Sequence, residues 1–295
     1  MSPPNNARIE LVLDAHADTG EGPVWDHRDQ SLLWVDVTRG VVHRLHPTTE
    51  IDSRVEVGQH TGALALRAQG GLVLAVREGF AGFDFEKGDL RPIADTEGAR
   101  PTNRMNDGKV DGAGRFWAGS MAYSETGSAG SLYRLEPDGS VTTVLTGIGI
   151  SNGLGWSPDN RVMYYIDSLA AGLDAYDFEI DTGEISDRRR LIDVQPESGI
   201  PDGMTVDEEG GLWLALWNGG CVRRYAPDGS LERTIGLPVR QVTCCTFGGG
   251  DLGDLYITTA ARGLSPRELE DQPRAGGVFR LRPGVRGMPS QEYAG

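Results

Sequence analysis

Six segments of the chain share one pattern, and this repeat limits the fold more than any other sequence feature. Each segment begins with a polar residue, has an apolar residue four positions later, turns, and continues as an apolar strand. The first residues are Glu21, Thr61, Asn106, Asn152, Asp202 and Thr243, which are separated by 40, 45, 46, 50 and 41 residues. A period of about 45 residues with several short strands in each unit is typical of the four-stranded blades of a β-propeller. The sequence therefore predicts an all-β protein, a six-bladed propeller.

The rest of the chain fits this interpretation. Short apolar runs alternate with Gly-rich turn clusters, and amphipathic helical periodicity is nearly absent. Pro-Asp-Gly at 137–139 and at 227–229 predicts hairpins between outer strands. The alternating run 9–15 belongs to no unit, so we expect this N-terminal strand to pair in the last blade and close the ring. Residues 1–295 are thus predicted to form one domain, with 1–8 as a loose N-terminal segment; a β-sandwich is the alternative, but it does not predict this period.

Composition excludes several classes of partner. The 28 basic and 43 acidic residues give a net charge of −15, which opposes binding to nucleic acid or to anionic membrane surfaces. No apolar run approaches the roughly 20 residues that a membrane helix needs, and the first residues lack a signal-peptide pattern. The 3 cysteines form neither a disulfide framework nor a metal knuckle. We therefore expect a cytoplasmic monomer that acts on a small molecule.

Common catalytic motifs are absent or out of context. All 5 histidines lie in the first 60 residues, and the chain has neither a GxSxG elbow nor an HExxH motif. Serine-hydrolase chemistry and a His-rich zinc site are therefore disfavoured. The segment GGGDLG at 248–253 matches a nucleotide-binding pattern by letter, but it precedes a strand rather than a helix. We interpret it as a hairpin turn.

The first residues of the six units predict a site. In a propeller these positions meet around one mouth of the central channel, where they bring together two carboxylates, two amides and two hydroxyls. Such oxygen ligands suit a hard or borderline divalent cation such as Ca²⁺, Mg²⁺, Mn²⁺ or Zn²⁺. Asp202 and Asn152 each precede Gly and could be ordinary turn residues. Glu21 is not a favoured turn residue, however, and the shared register of the three favours a metal site.

Several longer stretches resemble one known family. They are GEGPVW (20–25), NRMNDGKVDGAGRFWAGSM (103–121), SNGLGW (151–156), YYIDSL (164–169), IPDGMTVDEEGGLW (200–213) and AGGVF (275–279). In this order and spacing they are similar to the regucalcin/gluconolactonase family of the senescence marker protein type, over nearly the whole chain. The resemblance implies a six-bladed propeller that hydrolyses sugar lactones with the help of a metal ion.

The resemblance also implies roles for individual residues. The family's metal ligands correspond to Glu21, Asn152 and Asp202, and its substrate-binding residues correspond to Arg104 and Asn106. Some relatives contact the substrate with a Glu shortly after the GSM-like segment. In this sequence we align Ser124 with that Glu, and Glu125 follows it.

A reaction can be derived from these groups. Lactone hydrolysis needs a polarised carbonyl and an activated water, and a divalent cation can serve both needs. Asp202 is the expected general base, because no histidine is placed for that role. Three other functions remain open: a promiscuous organophosphate or aryl-ester hydrolase on the same metal site, a calcium-binding regulatory protein without catalysis, and a propeller scaffold for protein partners.

Overall fold

The computed structural model describes residues 8–295, which form six four-stranded antiparallel sheets. The strands are β1 (Glu10–Leu13), β2 (Gly20–Asp26), β3 (Ser31–Asp36), β4 (Val41–His46), β5 (Ile51–Glu56), β6 (Thr61–Leu66), β7 (Leu72–Val76), β8 (Gly79–Asp84), β9 (Asp89–Asp95), β10 (Asn103–Val110), β11 (Phe116–Ala122), β12 (Gly130–Leu135), β13 (Val141–Ile148), β14 (Ser151–Trp156), β15 (Val162–Asp167), β16 (Gly172–Glu179), β17 (Glu184–Asp193), β18 (Ile200–Val206), β19 (Leu212–Trp217), β20 (Cys221–Tyr225), β21 (Leu231–Gly236), β22 (Val242–Gly248), β23 (Asp254–Thr259) and β24 (Val278–Leu281). A single short helix, α1 (Pro266–Asp271), and two 3-10 turns (Ser168–Ala170, Pro196–Ser198) complete the described part.

The sheets form a closed ring, which confirms the predicted six-bladed propeller. Blades 1 to 5 consist of four consecutive strands each, beginning with β2, β6, β10, β14 and β18. Blade 6 has the order β22, β23, β24 and β1, so the N-terminal strand closes the ring as predicted. The innermost strand of each blade contacts that of the next, and β22 contacts β2. Of the predicted loose segment 1–8, all but the last residue lies outside the described residues.

Apolar residues fill the spaces between neighbouring blades rather than a single central core. Trp34, Trp117 and Trp213 lie in the second strands of blades 1, 3 and 5 and are fully buried. Trp117 packs edge-on against Trp156 of blade 4, and Trp213 packs in the same way against Phe247 of blade 6. The propeller is therefore held together by inter-blade contacts that are buried in series around the ring.

Turn chemistry in the outer hairpins agrees with the sequence prediction. The Pro-Asp-Gly turns join β12 to β13 and β20 to β21, and the Gly residues at their ends have φ of 87° and 86°. Only glycine adopts this conformation without strain, which explains the residue type. The GGGDLG segment joins β22 to β23 as a hairpin, also as predicted. No helix in residues 8–295 has the length and apolar character that a membrane crossing requires.

Every inner strand carries a β-bulge at the position where the repeat begins. The register shifts lie between Glu21 and Val24, Thr61 and Ala63, Met105 and Gly108, Ser151 and Leu154, Pro201 and Met204, and Val242 and Cys244. A bulge locally changes the direction in which a side chain points. These bulges therefore give each blade a distinct polar position at the same end of the channel.

The C-terminal segment 286–295 crosses the opposite end of the channel. It begins at blades 5 and 6, where Gly287 N–H donates to the carbonyl of Leu252 (2.9 Å). It ends between blades 2 and 3, where Tyr293 N–H donates to the carbonyl of Leu66 (2.8 Å) and Ala294 N–H donates to the carbonyl of Gly114 (2.9 Å). Residues 288–291 cover a cavity of about 160 Å³ at this end. The two mouths of the channel therefore differ. The C-terminal segment spans one mouth, and polar residues of the inner strands lie at the other.

Candidate functional site

A cavity of about 340 Å³ opens at the mouth where the six bulges lie. All five of the residues selected from the sequence line it: Glu21, Arg104, Asn106, Asn152 and Asp202. They come from four different blades, so sequence-distant positions meet because the inner strands converge. We assign no histidine to this cavity, because none is among its lining residues in the described part of the chain.

Two of the six ring positions do not reach the cavity. Thr61 and Thr243 were expected to line it, but both are fully buried. Thr61 Oγ1 donates to the carbonyl of Gln59 (3.2 Å), and Thr243 Oγ1 donates to the carbonyl of Gly20 (2.6 Å). A short hydroxyl side chain is satisfied by the adjacent backbone, whereas the longer Glu, Asn and Asp side chains extend beyond it. The expectation for these two threonines was therefore wrong.

The carboxylates of Glu21 and Asp202 are buried close to each other. Their residues are only 7% and 8% exposed. Burial, followed by the charges of Asp202 and Asp107, raises the pKa of Glu21 well above its usual range. Burial and the charge of Asp107 do the same to the pKa of Asp202. Without a cation, ionisation of both carboxylates at this end of the channel is therefore unfavourable.

Asn152 has its amide fixed by two neighbours. Its Nδ2 donates to Ser168 Oγ (2.8 Å), and Ser168 Oγ in turn donates to the carbonyl of Pro201 (2.6 Å). Its Oδ1 accepts from Asn106 Nδ2 (3.1 Å), which leaves one lone pair of this oxygen available. Sequence reasoning missed the role of Ser168, although this residue lies in the YYIDSL stretch that carried the family resemblance.

Among residues 8–295, buried Arg104 has no charged hydrogen-bond acceptor. Its Nη1 donates to Asn106 Oδ1 (2.6 Å) and to the carbonyl of Met105 (3.0 Å), both of which are neutral groups. Burial, and next the positive charge of Arg262, lowers the pKa of Arg104 to about 10. It thus remains protonated at neutral pH. Asn106 has both of its amide N–H groups and its oxygen engaged, so it connects Arg104 to Asn152 within the cavity wall.

The donor set fits a divalent cation. Two buried carboxylates and one oriented amide oxygen face the same cavity, and oxygen ligands of this kind suit hard or borderline cations. Within residues 8–295 no three Asp, Glu, His or Cys side chains are grouped closely enough to hold a metal on their own. A cation bound here would therefore need the amide oxygen of Asn152 as its third ligand. Three ligands would leave coordination positions open, as in catalytic rather than structural metal sites.

The rim of the cavity is formed by loops outside the repeat. Glu125, in the loop between β11 and β12, lines the cavity, whereas Ser124 accepts a hydrogen bond from Thr126 on the exposed side. Glu125 is therefore the residue of this loop that presents a carboxylate to the cavity. In the same loop, the Tyr123 hydroxyl lies 3.0 Å from His60 Nδ1. The loop is therefore held against the linker between blades 1 and 2.

Comparison with known proteins agrees with this geometry. The sequence model of the protein family described as SMP-30/gluconolactonase/LRE-like region matches residues 19–261 of this chain. The chain belongs to this family. Rabbit (Oryctolagus cuniculus) regucalcin is 42% identical over 299 aligned residues, which cover 99% of this chain and all of the rabbit protein. The family assignment inferred from the sequence motifs is thus confirmed.

Solved structures of the family share the same propeller. The structure described as a calcium-binding protein, regucalcin, from Agrobacterium tumefaciens aligns with a TM-score of 0.93 at 29% identity, covering 97% of each chain. A gluconolactonase from Xanthomonas campestris aligns with a TM-score of 0.78 at 24% identity, covering 94% of this chain and 90% of its own. The second likeness shows the fold alone. Membership of the family supports a lactonase-like or a calcium-binding role.

Proposed function

We propose that this member of the SMP-30/gluconolactonase/LRE-like family is a metal-dependent lactonase, which hydrolyses a sugar lactone to its aldonic acid. The main support is the grouping of Glu21, Asn152 and Asp202 around one cavity that also holds the buried guanidinium of Arg104. A purely structural site does not need the buried guanidinium of Arg104 beside the carboxylates of Glu21 and Asp202. A reaction in which negative charge develops next to these residues does need such a positive group.

In this proposal Glu21, Asn152 and Asp202 hold one divalent cation, with Ca²⁺ and Zn²⁺ as the first candidates. When bound, the cation supplies a Lewis acid that polarises a carbonyl and lowers the pKa of water. The amide of Asn152 is fixed by Ser168, so its oxygen needs little reorganisation. The two carboxylates would lose their mutual repulsion on binding, which favours occupancy of the site.

Asp202 is proposed as the general base. Its carboxylate accepts a proton from the attacking water, the water oxygen bonds to the lactone carbonyl carbon, and the ring C–O bond breaks. The ring oxygen then takes this proton back from Asp202 and leaves as a hydroxyl group. A carboxylate that also binds a cation is a weak base, so much of the effect of Asp202 comes from orienting the water. Arg104 donates hydrogen bonds to the developing oxyanion or to the product carboxylate.

We further propose a single-domain, cytoplasmic monomer. The three cysteines are buried and free, which suits a reducing compartment. Burial raises the pKa of Cys245 to about 12 and also raises that of Cys244. Neither thiol is therefore proposed as a nucleophile.

Calcium-dependent regulation without catalysis is the second candidate function. It is supported by the relatives named regucalcin and by the Agrobacterium protein that is described as calcium-binding. The same ring residues would then bind Ca²⁺, but no water would need to be activated. Turnover therefore separates the two candidates, whereas cation binding does not.

Lactone hydrolysis should be measured with a pH indicator on metal-stripped protein to which single cations are restored. Gluconolactone, galactonolactone, xylonolactone and arabinolactone should each be compared with their spontaneous hydrolysis. We expect cation-dependent turnover in the wild type and its loss in Glu21→Gln. The matched control is Glu184→Gln, an exposed position on β17 that lies outside the cavity and should retain full activity.

The outcomes distinguish the candidate functions. Cation binding by calorimetry without turnover of any lactone would favour the regulatory function. Turnover of paraoxon or of phenyl acetate, but of no lactone, would favour the organophosphate or aryl-ester hydrolase. Wild-type turnover in Asp202→Asn would refute the assignment of Asp202 as the general base.

A further inference from the structure

An ion pair lies across the mouth of the cavity. Arg262 Nη2 lies 3.2 Å from Glu125 Oε1, and both residues line the cavity. Glu125 belongs to blade 3, in the loop between β11 and β12, whereas Arg262 follows β23 of blade 6. In a ring of six blades, the third and the sixth stand opposite each other. The pair therefore crosses the opening rather than following its edge.

The backbone fixes Arg262 in this position. Its N–H donates to the carbonyl of Asp18 (2.9 Å), and its carbonyl accepts from Gln241 Nε2 (2.9 Å). These contacts tie the residue to the segment before blade 1 and to the start of β22. These contacts hold the backbone of Arg262 in place, and its guanidinium extends from there toward the mouth of the cavity.

Hydrogen-bonding capacity of the pair remains available to a ligand. The side chains of Arg262 and Glu125 are 37% and 51% exposed. A guanidinium has five N–H donors and a carboxylate accepts on two oxygens, so one contact between them uses a small part of what they offer. Such a pair presents donors and acceptors side by side, which matches neighbouring hydroxyl groups on a small molecule.

The two ends of the cavity then have different tasks. The carboxylates and the amide of the ring lie at the inner end, with Arg104 close to them, and the ion pair lies at the mouth. Arg262 is near enough to Arg104 for its charge to lower the pKa of Arg104. Because Arg262 and Asp202 line the same cavity, a small ligand that reacts near Asp202 can reach Arg262 with its opposite end.

We propose that Arg262 is a specificity-determining residue. It recognises the substrate hydroxyl groups that lie at the mouth of the cavity, at the end of the substrate remote from Glu21, Asn152 and Asp202. Glu125 holds its guanidinium over the mouth and accepts hydrogen bonds from the same hydroxyl groups. The substrate class is then a polyhydroxylated lactone, and an unsubstituted lactone gains nothing from Arg262. This inference rests on the proposed lactonase function.

The test compares two lactones that share the reacting ester but differ in hydroxyl groups: glucono-δ-lactone and δ-valerolactone. We expect Arg262→Gln to lower kcat/KM for the first by roughly 10-fold to 100-fold, the usual effect of lost hydrogen bonds to a charged group. For δ-valerolactone the change should stay within about twofold, because that lactone makes no hydroxyl contact. Arg262→Lys should lie between the wild type and Arg262→Gln.

Arg267→Gln is the matched control, since Arg267 is exposed on α1 near the same rim and does not line the cavity. Equal losses on both lactones in Arg262→Gln would assign Arg262 a structural role and overturn the proposal. Unchanged rates on both lactones would overturn it as well.

A binding measurement keeps the test independent of catalysis. 1,5-Anhydro-D-glucitol has the ring hydroxyl groups of the sugar lactone but no carbonyl, so it cannot be hydrolysed. Calorimetry should show weaker binding of this compound to Arg262→Gln than to the wild type. If the wild type hydrolyses neither lactone, the proposed function fails while this binding difference still tests Arg262. Equal binding to both proteins would then overturn the proposal.

Discussion

Repulsion between buried carboxylates makes a prediction that needs no substrate. Glu21 and Asp202 are both almost fully buried, and the charge of Asp202 contributes to the raised pKa of Glu21. Glu21→Gln keeps the size of the side chain and removes one charge. We predict that this variant is more stable than the wild type when no cation is present.

The magnitude follows from the charges. Two unit charges of the same sign repel by about 3 kcal/mol at a separation of about 5.5 Å and an effective dielectric constant of about 20. Protonation relieves part of this repulsion, so we expect a gain of about 1 to 2 kcal/mol. For a chain of 295 residues such a gain raises Tm by about 2 to 3 °C.

A divalent cation should reverse the order. A ligand at 100 times its Kd stabilises the folded state by about 2.7 kcal/mol, and Glu21→Gln should lose most of that gain. Thermal unfolding in EDTA and in graded Ca²⁺, Zn²⁺ or Mn²⁺ measures both effects. The variant is thus expected to melt above the wild type in EDTA and below it at saturating cation.

The pH dependence has a definite sign. A carboxyl group with a folded-state pKa above its unfolded value stabilises the fold below the unfolded pKa, and this contribution is lost as pH rises through the folded pKa. Because the pKa of Glu21 is raised, the advantage of Glu21→Gln in EDTA should grow as pH rises above about 4. Lower stability of the variant in EDTA would refute the repulsion, and equal cation effects in both proteins would place the cation elsewhere. Glu184→Gln should behave as the wild type throughout.

Three further predictions concern the rest of the chain. Asp207→Ala should lower the free energy of unfolding in urea by about 3 kcal/mol, because its buried carboxylate accepts from Arg224 Nε at 2.7 Å and the guanidinium would lose this partner. Tyr293→Ala should cost about 3 to 5 kcal/mol in the same assay, since the ring is fully buried, whereas Tyr293→Phe should cost about 1 kcal/mol by losing the hydrogen bond to the carbonyl of Glu136. Burial, followed by nearby guanidinium groups, lowers the pKa of His60, so its contribution to stability should be lost as pH falls below about 6.5; His60→Gln should flatten this part of the pH profile of Tm.

The architecture could be predicted from the sequence because each blade repeats the same order of polar, apolar and turn-forming residues. Apolar strands and glycine turns recur with the period of a blade, and each unit of the ring repeats the same register. The N-terminal strand was predictable for the opposite reason, since an alternating run without a repeat of its own needs a partner. The C-terminal segment 286–295 carries no periodicity, because it makes only isolated backbone contacts and adds no strand to a blade. Its course across the channel was therefore not predicted.

The candidate site could be predicted from the sequence only for residues that occupy the same position in different blades. Glu21, Asn152 and Asp202 share a register, and a single geometric rule places them together. Whether Thr61 and Thr243 reach the cavity depends on the length of their side chains and on the shape of the bulged backbone. The shared register does not predict either effect. The bulges themselves leave no residue signature that is common to all six strands.

Contacts between loops are the least predictable part of the site, and this has a consequence for how such a protein can change its substrate. The ring residues are set by strands whose packing supports the whole propeller, so a change there risks the metal site and the fold together. Glu125 and Arg262 lie in loops outside the repeat, and their meeting depends on ring closure alone. Under the proposed function, the inner strands would therefore determine cation binding, whereas the rim loops would determine substrate preference. Two family members with identical ring residues can then differ in the lactone that they prefer, and the difference should map to the loops after the second strands of blades 3 and 6.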